Sequence, residues 1–303
     1  MGVLMAFLTG AMVPVQTAAN ARLRSVVGYA FVSTLISFSV SSLSLVLVSF
    51  AFRLPVLPSG DVASAVPWWG WCGGLIALCT ITSFILLFRA LGQLQAMILP
   101  IFGQLVFSMV IDHFGIFGVK DIPLSLARCA GLGAAVAGIA LTVVKPSSPS
   151  RKRPRLVVIW QIAGVATGFG VACIGAIYAR LGAVLGSPIQ ASTVSFLIAT
   201  GAILAFSLMT GKVTSVSKAV AVGGPWWMWL GGIIGATAVF INAWIIPSLG
   251  VGLFMVLLLA GQIAAGVAFE NFGWLGAAQR RITLRQYGGI ALVVAGAALM
   301  RFF

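Results

Sequence analysis

Five side chains in this sequence could carry acid–base chemistry near neutral pH: Asp61, Asp112, Asp121, Glu270 and His113. Asp61 and Asp121 fall in breaks between apolar runs. Asp112 and Glu270 sit near the ends of such runs and stand 158 residues apart. An acid in apolar surroundings is costly to keep charged, which makes both candidates for gating or for coupling to protons or ions. Each is followed by an arginine at the head of the next run, Arg128 after Asp112 and Arg285 after Glu270. A salt bridge closing each helical hairpin is the competing role. It is favoured by the helix dipole, which disfavours an unpaired negative charge at a C-terminus.

Enzymatic chemistry finds little support. His113 is the lone histidine, and Cys72, Cys79, Cys129 and Cys173 lie in apolar runs without CxxC spacing. No Ser/His/Asp, Ser/Lys or metal-ligating constellation is available, so the reading is a non-enzyme with no cofactor and no metal. The glycine clusters Gly131–Gly138 and Gly288–Gly296 are not followed by lysine and suit close helix packing better than phosphate binding.

The remaining polar groups fall in patterns. Gln104, Ser108 and Asp112 are spaced i, i+4, i+8 and share one helix face. Displaced by 158 residues, the same stripe reads Gln262, Gly266 and Glu270. A polar stripe on an apolar helix should face protein or water, which points to the lining of a solute pathway. Gln16 and Asn20, one turn apart near Pro14, are candidates for solute contact or interhelical hydrogen bonding; their counterparts Ile174 and Tyr178 are not matched in polarity. Asn242, near Trp244 and aligned with Phe84, is a weaker pathway candidate.

The elements that must position these groups follow from composition. Of 303 residues, 61% are hydrophobic and 7% charged, against roughly 25% charged in soluble domains. Apolar runs occur near 3–21, 29–52, 68–89, 92–112, 126–144, 157–178, 187–210, 226–246, 249–269 and 284–302. Their length and continuity indicate transmembrane helices rather than barrel strands. The first run lacks the basic residues of a signal peptide, so it reads as a retained helix.

The runs form a duplication. Pro67-Trp68-Trp69-Gly70-Trp71 recurs as Pro225-Trp226-Trp227-Met228-Trp229, and the same offset of 158 pairs Gly103-Gln104 with Gly261-Gln262 and Ala21-Arg22-Leu23 with Ala179-Arg180-Leu181. Two five-helix repeats, 1–144 and 157–303, are joined by a basic Pro/Ser linker at 145–156. Five is odd, so the second repeat enters from the opposite side. The expected fold is an all-α membrane protein of ten helices in two inverted-topology repeats.

The net charge of +14 comes from basic residues in short breaks, which suits lipid headgroups and not nucleic acid. Thirteen of the 18 Lys and Arg residues fall on the linker side of the alternating loops. That bias puts the linker in the cytoplasm of a bacterial-type inner membrane and both termini outside.

Gln16-Thr17-Ala18-Ala19-Asn20, Pro67-Trp68-Trp69 and Gly103-Gln104-Leu105 with Ser108 and Asp112-His113-Phe114-Gly115 resemble the YdcZ-like family of the drug/metabolite transporter superfamily. The resemblance covers essentially the whole chain in its fused, ten-span form. It implies an inner-membrane transporter, often an exporter, with no agreed binding motif; the superfamily's ten-span members usually have cytoplasmic termini, the reverse of the charge count. The expected activity is secondary transport of a small neutral, zwitterionic or aromatic solute by alternating access. The alternative is a pore or channel for a small solute or ion. Expected partners are the solute, the lipid bilayer, protons or ions as coupling species, and a second copy in a homo-oligomer.

The charge pattern makes a topological prediction. A reporter fused after residue 150 should report cytoplasm, and one fused at the C-terminus should report the outside. Cytoplasmic signal at the C-terminus would reverse the orientation.

Overall fold

The computed structural model describes residues 1–91, 93–143, 154–221, 224–272 and 284–302. Each of the ten apolar runs contains a helix: α1 (Gly2–Val27), α2 (Ala30–Ala51), α4 (Gly73–Leu91), α5 (Gln93–Phe114), α6 (Leu126–Val143), α7 (Pro154–Leu185), α8 (Pro188–Met209), α10 (Leu230–Leu249), α11 (Val251–Phe272) and α12 (Leu284–Phe302). Two short helices, α3 (Gly60–Ala65) and α9 (Val216–Ala221), lie in the longer connections. No strand occurs among the described residues. Among the described residues, six helices are long and apolar enough to cross a membrane: Gly2–Val27, Ala30–Ala51, Val157–Leu185, Pro188–Met209, Trp226–Leu249 and Val251–Phe269. Leu99–Phe114, Leu126–Leu141 and Tyr287–Met300 are shorter apolar helices.

Local differences from the sequence reading have simple causes. The Trp-rich segments open as 3-10 turns, Trp68–Cys72 and Trp226–Trp229, before α4 and α10 begin. Asp61, expected in a loop, lies in the first turn of α3, where the helix N-terminus favours an acid. Helix α7 begins at Pro154, within the expected linker, because proline is preorganised for a first helical turn. The rest of the linker lies outside the described residues, as do Arg280 and Arg281.

Helix ends obey the duplication. Gly28 closes α1 and Gly186 closes α7, both with positive φ, 84° and 67°. Such a left-handed residue terminates a helix at little cost only when it is glycine. At the start of α8, the Ser187 hydroxyl accepts a hydrogen bond from the Gln190 amide at 3.3 Å, with Pro188 at the first position.

Packing runs mainly between the halves. Helix α6 pairs with α12, α5 with α7, α1 with α11, and α2 with α8. Many contacts have a counterpart displaced by 158. Gly103 lies against the Val165 carbonyl and Gly261 against that of Phe7; Gly131 lies against Gly296 and Gly138 against Gly289. Ser42 and Thr200, counterparts of each other, share a hydrogen bond of 2.9 Å between α2 and α8. The buried core gathers Leu105, Ile111, Ile139, Ala176, Val251 and Phe254 from α5, α6, α7 and α11.

The α6–α12 contact is a test of close packing. A Cβ on Gly138 would lie 2.5 Å from the Gly289 carbonyl, whereas one on Gly133 meets no described atom within 4 Å. Gly138→Leu should therefore destabilise by about 1–3 kcal/mol, the usual cost of overpacking, and Gly133→Leu should be near neutral. Thermal unfolding of the purified variants in detergent measures both.

Candidate functional site

The duplicated stripe on α5 converges on the start of α11. Gln104, Ser108 and Asp112 are buried, the last two completely. The Gln104 amide donates to the Met255 sulfur at 2.9 Å. The Ser108 hydroxyl turns back to the Leu105 carbonyl of its own helix.

Asp112 is held from three directions. Its Oδ1 accepts the Val251 amide at 2.7 Å, and its Oδ2 accepts the Gly252 amide at 2.9 Å. Arg128, itself buried at the head of α6, donates through Nη2 to Oδ2 at 3.0 Å. A second guanidinium nitrogen, Nη1, donates to the carbonyls of Ile122 and Pro123. The carboxylate thus closes the α5–α6 hairpin and also caps α11. The unfavourable dipole at its own helix end is offset by the favourable N-terminal dipole of α11. Charge-assisted bonds to two amides and an arginine are the means by which a buried carboxylate is made tolerable.

Glycine is favoured where the cap forms. A Cβ on Gly250 or Gly252 would lie 3.0 Å from the Asp112 Oδ2, and Gly250 also has φ 82°. The returning chain is pinned as well: the Ile122 amide donates to the Asp112 carbonyl, and the Leu124 amide donates to His113 Nδ1. His113 is thereby part of the hairpin.

Above this cap the α5–α6 connection turns inward. Phe117 adopts φ 68°, unusual for a bulky residue, and its ring meets Trp69 edge-on at 5.0 Å. Arg180, near the end of α7, lies against Gly118. Elsewhere, where α1 meets α2, Lys212 sits 5.4 Å above the ring of Tyr29.

The other sequence candidates are distributed differently. Asn20 accepts a hydrogen bond from Ser37 at 2.5 Å and packs on Gly231, while Gln16 packs on Gly235 one turn further along α10. These two polar residues therefore bridge α1, α2 and α10. Asn242 is half-buried, and its Oδ1 is buried with no hydrogen-bond partner among the described residues. Neighbouring Trp244 stacks on Phe240 at 5.7 Å. Gln262 is half-buried on α11. Glu270 belongs to α11, but its side chain lies outside the described residues, so the expected pairing with Arg285 does too. Arg285 is exposed, and the offset of 158 aligns Arg128 with Gln286.

No metal-binding cluster of His, Cys, Asp or Glu occurs among the described residues. The Val251 and Gly252 amides were not identifiable from sequence. Their signal was the glycine pair at 250 and 252, opening a helix with no polar cap of its own.

Comparison with known proteins places this geometry in context. Residues 1–141 and 159–299 both match the model of a family described as "Putative inner membrane exporter, YdcZ". A solved structure described only as "Crystal structure of protein" is similar in fold, with a TM-score of 0.69 at 15% identity over 99% of this chain and 95% of that one. No curated protein matches the chain.

Breaking the ion pair from one side strands a buried charge. Asp112→Ala should destabilise by about 3–5 kcal/mol, the usual cost of removing one partner of a buried pair. The double variant Asp112→Ala with Arg128→Met should recover part of that loss. Melting temperatures in detergent measure the difference, and equal losses would mean that Arg128 does not depend on its acid.

Proposed function

Because the chain belongs to the YdcZ family of inner-membrane exporters, we propose that it is a secondary active transporter that exports a small neutral, zwitterionic or aromatic solute by alternating access. It is a multi-pass inner-membrane protein. The proposed architecture is ten spanning helices in two inverted repeats, 1–144 and 157–303.

One observation supports the inverted arrangement above the rest: contacts are reciprocal under the offset. Gly74 lies against Ser195 as Gly232 lies against Ser37, and Gly73 against Tyr178 as Gly231 against Asn20. Reciprocity of this kind is what a two-fold relation between homologous halves produces. The sharing of faces agrees. Trp69, Phe117 and Arg180 meet on one side, and Tyr29 and Lys212 on the other, as five spans per repeat require. Such symmetry lets one sequence support two states of similar energy, facing opposite sides of the membrane.

The proposed pathway runs between α5 and α11, which carry the two stripes. Gln104, Ser108 and Gln262 are its candidate polar lining, with Asn242 on α10 offering an acceptor that is unpaired among the described residues. Gln16 and Asn20 act at its edge by setting the packing of α1 on α10. Asp112 with Arg128, and Glu270 with Arg285, are candidate gates or coupling groups, one set per face. Few fixed charges remain unpaired along this route, which suits a solute without net charge.

The test is transport itself. Cells or proteoliposomes offered a pool of small metabolites should show saturable export with counterflow, and Gln104→Ala or Gln262→Ala should abolish it or shift its selectivity at normal expression. Non-saturating flux without counterflow would replace the carrier with a channel. Unchanged transport in both variants would remove the stripes from the pathway.

A further inference from the structure

Two amides inside the bundle lack the partners that buried amides usually have. Asn242 makes no hydrogen bond among the described residues, and its Oδ1 is fully buried. Gln104 is 6% exposed, yet its one bond among the described residues runs from Nε2 to the Met255 sulfur at 2.9 Å, and its oxygen has none. A thioether is a weak acceptor. By contrast, Ser41 reaches the Gly232 carbonyl, and the Asn20 oxygen takes the Ser37 hydroxyl. A buried polar atom left without an oxygen or nitrogen partner is costly in apolar surroundings and calls for a ligand or a water.

The two amides share a neighbourhood. A Cβ on Gly175 of α7 would meet the Met255 methyl at 2.7 Å and the Ile246 side chain at 3.1 Å. Met255 carries the Gln104 amide, and Asn242 lies one turn before Ile246 on the same face of α10. Helices α5, α7, α10 and α11 thus bring a donor and an acceptor towards one glycine. The packing does not demand this polarity. Under the offset of 158 Asn242 aligns with Phe84, so the first half has an aromatic ring at the same place, and the counterpart of the pair is Gln262 with Phe84.

We infer that Gln104 and Asn242 form the recognition pair of the solute site, and that the solute is uncharged and presents an N–H or O–H donor beside a carbonyl acceptor, as a carboxamide or a ureide does. The inference rests on the transporter reading above and narrows its solute class. Asn242 Oδ1 accepts from the donor, and Gln104 Nε2 exchanges sulfur for the carbonyl oxygen, a better acceptor. Charge argues against an ionised solute. Asp112 and Arg128, on the same hairpin as Gln104, satisfy each other and are bonded further to backbone, so neither is left to neutralise a carboxylate or an ammonium. A structural water fits less well, because it needs two to four polar partners and the side chains one turn from Asn242, at Ala238, Val239, Ile245 and Ile246, are all apolar.

The experiment reads binding apart from transport. Full-length protein in detergent is incubated with an isotope-labelled pool of neutral, anionic and cationic metabolites, and retained solutes are identified by mass spectrometry. The parent should retain uncharged solutes with an amide-type edge. Asn242→Leu and Gln104→Met keep the volume and remove one hydrogen-bonding edge each, and both should lower that retention about tenfold. Methylating the N–H of a retained solute should do the same in the parent. Asn242→Leu should melt no lower than the parent, because its oxygen has no protein partner to lose. Retention of charged solutes alone, or of none, would overturn the solute class. Unchanged retention in both folded variants would overturn the pair. A lower melting temperature or loss of folding in Asn242→Leu would make Asn242 a structural group, holding a water or a helix, and would remove it from recognition. The transporter reading fails separately: retention and its loss in the variants would be as described, while proteoliposomes showed no saturable counterflow.

Discussion

In hydrocarbon, helices gain nothing by hiding apolar surface from one another, so they associate only where backbones can come close enough for dispersion and polar contacts to outweigh lipid. This constraint governs the protein. Gly103 against Val165, Gly261 against Phe7, and Gly131 and Gly138 against Gly296 and Gly289 are all approaches that a side chain would prevent. The positions are sparse, but they recur in both halves and mostly join one half to the other. The halves are held by their glycines, and the larger side chains fill what the glycines leave.

The same economy explains the few polar residues. Most buried hydroxyls on α2 and α8 return to their own helix or meet a partner on a facing one, as Ser41 does with the Gly232 carbonyl and Ser42 with Thr200. Asp112 is the exception in charge but not in principle. It receives two amides and a guanidinium, and the amides belong to the first turn of α11, whose own N-cap residue is a glycine. A polar group that serves two elements at once couples their positions. That is why the α5–α6 hairpin and α11 cannot shift independently while the cap is in place.

Sequence revealed some of this and concealed the rest for identifiable reasons. The stripe of Gln104, Ser108 and Asp112 was readable because helical periodicity is local. The nearness of Arg128 was readable because a hairpin brings the two ends together. The repeat was readable because Pro-Trp-Trp and Gly-Gln recur at one offset. The cap on α11 was not, since it joins residues 140 positions apart through backbone amides, which carry no residue identity. Gln16 and Asn20 looked alike as pathway residues, yet their neighbours are Gly231 and Gly235, small residues on a helix far away in sequence. Polarity shows that a partner must exist, but not whether the partner is a solute or a helix.

The departures from symmetry carry the most information. Tyr178 stands where the first half has Asn20, and both press on a glycine at the start of the partner helix. Gln286 stands where the first half has Arg128. A duplication under selection for shape alone would keep the volumes and drift in chemistry everywhere. Here the glycines of the closest approaches, Gly103, Gly131 and Gly138 with their counterparts, are retained while polarity and charge have diverged near the helix ends. The packing scaffold is thus common to both halves, whereas the chemistry at the helix ends is particular to each. For the carrier proposed above that division has a use: symmetry would make both facings reachable, and asymmetry at the helix ends would set the balance between them.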